Sequence, residues 1–130
     1  MTQLPALVTL LAVLLLFGTA WVVGRARDKH GIKAPAVSGH PAFERAYRVQ
    51  MNTLEQTVMF LPTLWLAANY GFSGWAGIAG LVWLAGRVWY AMSYLNDAGK
   101  RGPGFALGMI AWFALLLMAC IGVVRAMTVG

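Results

Sequence analysis

The chain has 130 residues, 60% of them hydrophobic and 11% charged, with a formal net charge of +6. Soluble domains carry about 25% charged residues because a water-facing surface must be solvated, so this composition excludes a water-soluble globule and points to a surface that faces lipid. One crossing takes about 20 apolar residues, so four crossings use about 80, which leaves short loops and excludes a separate soluble domain.

The first run, Pro5 to Gly24, carries no charge, and Trp21 sits near its end where an interfacial ring would lie. A cleaved signal peptide competes with this helix, since Gly18 and Ala20 resemble a small-residue cleavage site. Met1-Thr2-Gln3 lacks the positive leader, however, and the apolar stretch is too long for a signal core. Arg25 to Pro41 reads as a polar loop holding Arg25, Arg27, Asp28, Lys29 and Lys33, with Gly31, Pro35, Gly39 and Pro41 as breakers. A second helix is expected from about Phe43 to Tyr70. Its first half is polar (Glu44, Arg45, Arg48, Asn52, Glu55), and Pro62 marks a kink in its apolar second half.

A turn around Asn69 to Gly74 leads to a third helix, Trp75 to about Leu95, interrupted by Arg87. The loop Asn96 to Gly104 holds Asp97, Lys100 and Arg101, and Phe105 to Val124 is a fourth charge-free run. The expected fold is an all-α integral membrane protein, a single four-helix bundle over residues 1–130 with helices at about 5–24, 43–70, 75–95 and 105–124. Nine of the ten Lys and Arg residues lie in the first and third loops or on the helix halves that adjoin them. Cytoplasmic loops are enriched in Lys and Arg, so loops 25–42 and 96–104 are expected to be cytoplasmic and both termini to lie opposite. Basic residues placed this way control topology; nucleic acid binding would want them interleaved with exposed aromatics on a soluble face.

Charges inside a membrane helix cost at least about 2.5–3.5 kcal/mol each at its centre, so they face a bundle interior or a wet cavity. Arg48, Asn52 and Glu55 share one helical face at i, i+4, i+7, with Arg45 in the same stripe, and Arg87, Tyr90 and Tyr94 form a second stripe on the third helix. Two such stripes at one depth would build a cationic pocket suited to a small polyanion, which Arg grips in bidentate fashion. The plainer alternatives are a buried ion pair of Glu55 with Arg48 or Arg87 that only sets helix register, and snorkelling of Arg45 and Arg48 to lipid headgroups. Tyr70, Trp65, Trp75, Trp83 and Trp112 read as belt or packing residues. His30 and His40 lack suitably spaced partner ligands, so no metal is assigned, and the single Cys120 can form no intramolecular disulfide. Gly104 with Gly108, and Ala76 with Gly80, are spaced for close helix approach.

The stretch Phe43-Glu44-Arg45-Ala46-Tyr47-Arg48-Val49-Gln50-Met51-Asn52-Thr53-Leu54-Glu55 resembles a signature of the MAPEG family, the membrane-associated proteins of eicosanoid and glutathione metabolism. The likeness extends to Arg87 through Tyr94 and to Lys100-Arg101, and covers nearly the whole chain. The resemblance implies a homotrimer with glutathione, the co-substrate, bound between neighbouring subunits. By the same resemblance Arg48 grips a glutathione carboxylate, Asn52 and Glu55 hold its polar and amino groups, and Arg27, Gln50, Arg87, Tyr90 and Tyr94 line the site. The position matching Arg101 stabilises the thiolate. Gln56 departs from the eicosanoid-synthase branch, which has Tyr there. The implied function is a membrane glutathione S-transferase, with glutathione peroxidase activity as a companion, acting on lipophilic electrophiles or lipid hydroperoxides from the bilayer. The alternatives are a non-catalytic lipid-binding or scaffolding protein of the same fold, and a small four-helix transporter. The transporter would want an acidic residue in its first helix, and none stands there.

Overall fold

In a computed structural model, whose described residues are 3–129, the chain forms α1 (Leu4–His30), α2 (Pro41–Ala67), α3 (Ser73–Asn96) and α4 (Gly102–Val129), with no strand among the described residues. α1, α3 and α4 outrun the stretches that mark them, whereas α2 ends at Ala67, short of the expected Tyr70, because the backbone leaves helical geometry at Tyr70 and Gly71. α1 continues through Arg25–His30, which the sequence reads as loop, because hydropathy marks where lipid would end and not where backbone hydrogen bonding ends. Gly31 stops the helix at φ 66, ψ 32, a left-handed conformation that favours glycine, and its N–H returns to the Arg27 carbonyl.

α2 starts two residues ahead of its expected position. Proline suits the first helical turn, where its missing N–H leaves nothing unsatisfied, and His40 Nδ1 accepts the Ala42 N–H at 3.1 Å. The helix runs on through Pro62. One turn earlier, the Met59 carbonyl accepts the Thr63 hydroxyl at 2.7 Å and the Trp112 indole N–H at 3.2 Å. A wide turn, Ala68–Phe72, joins α2 to α3, with Gly71 at φ 108. A short 3-10 turn, Ala98–Lys100, precedes α4, so Gly102 and Pro103 open that helix instead of extending the loop.

α2 and α3 form the middle of the bundle; α1 packs on both, and α4 packs on both. Apolar surface gains little by leaving lipid for protein, so helix association in a bilayer rests on close van der Waals contact. The small residues supply that closeness. A Cβ at Gly86 would sit 2.6 Å from Gly108 N, and Gly104 lies directly against the Tyr90 backbone, so the Gly104/Gly108 pair forms the α3–α4 seam within one subunit. Gly80 receives Val8 of α1 in the same way. Between these seams the Phe60 and Trp83 rings stack at 3.7 Å and 4°. Trp83 is therefore a packing residue, whereas Trp21 and Trp75 point outward with Leu14, Phe17, Val58, Ile110 and Leu117.

α1 and the stretch Ala98–Val129 are long and apolar enough to cross a membrane. α2 and α3 carry the polar stripes. A second, smaller core of Val23, Ile32, Phe43 and Ala46, with Leu95 packed against it, brings both basic connections to one end of the bundle. There Arg45 Nε donates to the Leu95 carbonyl at 3.1 Å.

Candidate functional site

Helical periodicity aims Arg48, Asn52 and Glu55 the same way from α2, and Tyr90 and Tyr94 the same way from α3. The bundle makes the two stripes face each other. With Met51 and with Arg101 from the foot of α4, they line one cavity of about 250 Å³ at the end where the basic connections lie. Arg48 and Tyr94 also border a neighbouring polar hollow of about 640 Å³, which reaches Glu44, Arg45 and Asp97. Arg101 Nη1 donates to the Ala98 carbonyl at 2.7 Å, and its guanidinium lies 5.8 Å from the centre of the Tyr94 ring. The Tyr90 and Tyr94 rings meet at 5.5 Å. Arg101 is thus held over the cavity by its own connection, although the glycine-rich stretch around it reads as loose in sequence.

Arg87 stands apart from the other site candidates. It is only 1% exposed and sits behind the cavity wall. Its Nη2 donates to Asn52 Oδ1 at 2.8 Å and to Thr53 Oγ1 at 2.9 Å, and its guanidinium lies 4.2 Å from the centre of the Tyr90 ring. Its Nε has no partner. These oxygens are neutral, so Arg87 is not one half of a register-setting ion pair with Glu55, which is itself exposed. Two consequences follow. The Arg87 charge is uncompensated beside the cavity, where the field of a cation extends far in low dielectric. The Asn52 amide is also oriented: with Oδ1 engaged behind the wall, its NH₂ group remains to donate to a ligand acceptor.

Two candidates lie elsewhere in the subunit. Gln50 sits two residues from Asn52 and so about 200° around α2 from it, outside the cavity lining. Arg27 donates through Nη1 to the Ala36 carbonyl at 2.7 Å and stacks 4.9 Å over the Phe43 ring, bracing the connection from α1 to α2. Thr53 was missed by sequence reasoning: a threonine beside a charged stripe reads as a neutral filler, and only the contact with Arg87 gives it a role. Among the described residues no cluster of three or more His, Cys, Asp or Glu side chains could hold a metal ion.

The cavity therefore offers two guanidiniums, one carboxylate, an oriented amide and two phenols, with the Arg87 charge behind its wall. A small molecule with several anionic groups, and an amine for Glu55, satisfies that set. Comparison with known proteins gives the same direction. The sequence is 48% identical over 119 residues to a Synechocystis sp. protein described only as uncharacterized, covering 92% of this chain and 87% of that one. It is 42% identical over 120 residues to leukotriene C4 synthase of Cavia porcellus, covering 92% and 79%. It is 39% identical over 122 residues to microsomal glutathione S-transferase 2 of Mus musculus, covering 94% and 83%. The sequence model of the MAPEG family matches residues 5–121, and the chain belongs to that family.

Proposed function

We propose that this protein is a membrane glutathione S-transferase, with peroxidase activity toward lipid hydroperoxides as a companion. One observation carries the reading: Arg48, Asn52, Glu55, Tyr90, Tyr94 and Arg101 converge on a single cavity, with the buried Arg87 behind it. In this reading Arg48 grips a glutathione carboxylate, the Asn52 NH₂ donates to an acceptor of the tripeptide, and Glu55 receives its amine. Arg101 faces the sulfur. A free thiol has a pKa near 8.5, and lowering it by about two units takes roughly 2.7 kcal/mol of differential stabilisation, within reach of a guanidinium aimed at sulfur in a desolvated site. The thiolate attacks an electrophilic carbon of a lipophile entering from the bilayer; a C–S bond forms as the displaced electron pair leaves on the lipophile, which then takes a proton. With a hydroperoxide, the thiolate takes the distal oxygen and releases the alcohol, and a second glutathione reduces the sulfenic acid to disulfide and water.

The full assembly belongs to the same reading: four crossings, cytoplasmic connections 25–42 and 96–104 with both termini opposite, and a homotrimer. The outer face of α2 exposes Leu54, Val58, Met59 and Leu66. Gln50 lies outside its own subunit's cavity lining and is assigned in this reading to a neighbour's cavity. Arg27 is likewise assigned to the neighbour's site.

The test is thiolate formation. Purified protein with glutathione near neutral pH is expected to show thiolate absorbance in the ultraviolet, and Arg101→Ala to abolish it. A signal that survives that change moves the activator to another residue. Glutathione binding without any signal leaves a non-catalytic family member, and no binding removes the functional reading.

A further inference from the structure

On the α1–α3 side of the bundle runs a groove that the glutathione chemistry does not use. Its shaft, about 540 Å³, is walled by residues such as Leu11, Leu14 and Gly18 of α1, Val49 of α2, and Val88 and Ala91 of α3. The one polar side chain in the shaft, Thr19, gives its hydroxyl to the Leu16 carbonyl at 2.8 Å. At Val22, Ala46 and Leu95 the shaft opens into a second hollow of about 760 Å³, whose rim carries Arg25, Asp28, Lys29 and His30. Arg25 and Lys29 are exposed there.

The dimensions match a lipid. From Leu11 to Val22 the shaft runs about 16 Å at the α-helical rise, close to half the roughly 30 Å hydrocarbon thickness of a bilayer. It is therefore one leaflet long, apolar throughout its length, and cationic where the helix would leave the hydrocarbon. We infer that this groove binds one anionic phospholipid of the leaflet on the Arg25 side, with an acyl chain in the shaft and the phosphate between Arg25 and Lys29. Two cations against the single carboxylate of Asp28 supply the counter-charge, and juxtamembrane Lys and Arg attract anionic headgroups in this way. The inference rests on the membrane embedding proposed above and not on glutathione chemistry, so glutathione turnover measured on the same samples separates failure of one from failure of the other.

The experiment is native mass spectrometry of the detergent-purified full chain titrated with phosphatidylglycerol, with phosphatidylcholine of the same acyl chains and free oleate as separate arms. Selective retention of phosphatidylglycerol is expected. Gly18→Phe should abolish it by filling the shaft; a Cβ at Gly18 meets nothing within 4 Å, so the ring has room and glutathione turnover should persist. Arg25→Gln with Lys29→Gln should weaken retention about thirtyfold. Equal retention of phosphatidylcholine, or retention unchanged in both variants, would overturn the proposal. Oleate held as tightly as phosphatidylglycerol would replace the phospholipid with a fatty carboxylate. Cross-linking between subunits through Gly18→Cys, in a Cys120→Ser background, would put a second copy in the groove and equally overturn it.

Discussion

Replacing Thr53 by valine keeps the shape of a fully buried side chain and removes one oxygen. That oxygen accepts from Arg87 Nη2 at 2.9 Å, while Arg87 Nε already lacks a partner. A hydrogen bond to a charged donor contributes about 1.5–3 kcal/mol, and a buried donor left unmade costs the same order. Thr53→Val is therefore expected to lower the unfolding free energy in micelles by about 1.5–3 kcal/mol. Arg87 would then rest on Asn52 alone, and the amide that faces the cavity would lose its fixed orientation. The KM for glutathione should rise, each 1.4 kcal/mol of lost binding being about tenfold, while kcat at saturating glutathione changes little because Arg101 is untouched. Chemical denaturation in detergent reads the first effect and steady-state kinetics the second. Thr53→Ser keeps the hydroxyl and should recover the KM. A valine variant with wild-type stability and wild-type KM, or a serine variant as impaired as the valine, would refute the view of Arg87 as a positioning residue held by Thr53.

Gly86→Ala places a methyl 2.6 Å from Gly108 N at the α3–α4 seam. It is expected to destabilise by about 1–3 kcal/mol through overpacking, measurable by thermal unfolding in detergent, with Gly18→Ala as a control that meets open space. Arg27→Ala and Arg48→Ala should each lose activity alone, and co-expressed mixed oligomers should regain some. No recovery would mean that the two residues do not serve one site across a subunit boundary. His30 stacks on His40 at 3.7 Å, and desolvation, followed by the charges of His40 and Lys29, holds its imidazole below the ordinary value of 6.5. A lowered folded-state pKa means that the unfolded chain binds the proton more readily, so the contact stabilises above about 6.5 and that contribution is lost as pH falls through the lowered value. In an NMR titration, His40→Ala should move the His30 midpoint upward; an unmoved midpoint would show that the rings are not coupled.

What the sequence determined by itself is whatever depends on one helix at a time. Eleven per cent charge and the charge-free runs Pro5 to Gly24 and Phe105 to Val124 mark a lipid-facing chain, because solvation is a property of composition. The i, i+4, i+7 spacing placed Arg48, Asn52 and Glu55 on one face for the same local reason, and that face is the cavity wall. The motif around them carried the family, which the comparisons show over residues 5–121. Helix ends were less legible: α1 passes Gly24 and stops only at Gly31, since a polar stretch still forms helix until the backbone meets a left-handed residue. The tertiary structure decided everything that depends on which helix meets which. It put Arg87 behind the wall, made Thr53 its anchor, turned Gln50 away from its own subunit's cavity, and opened the apolar groove between α1 and α3. The physical reason is that periodicity sets a side chain's direction around its own axis, whereas depth, partner and burial are set by packing between axes, which the close glycine contacts along α3 and α4 bring about.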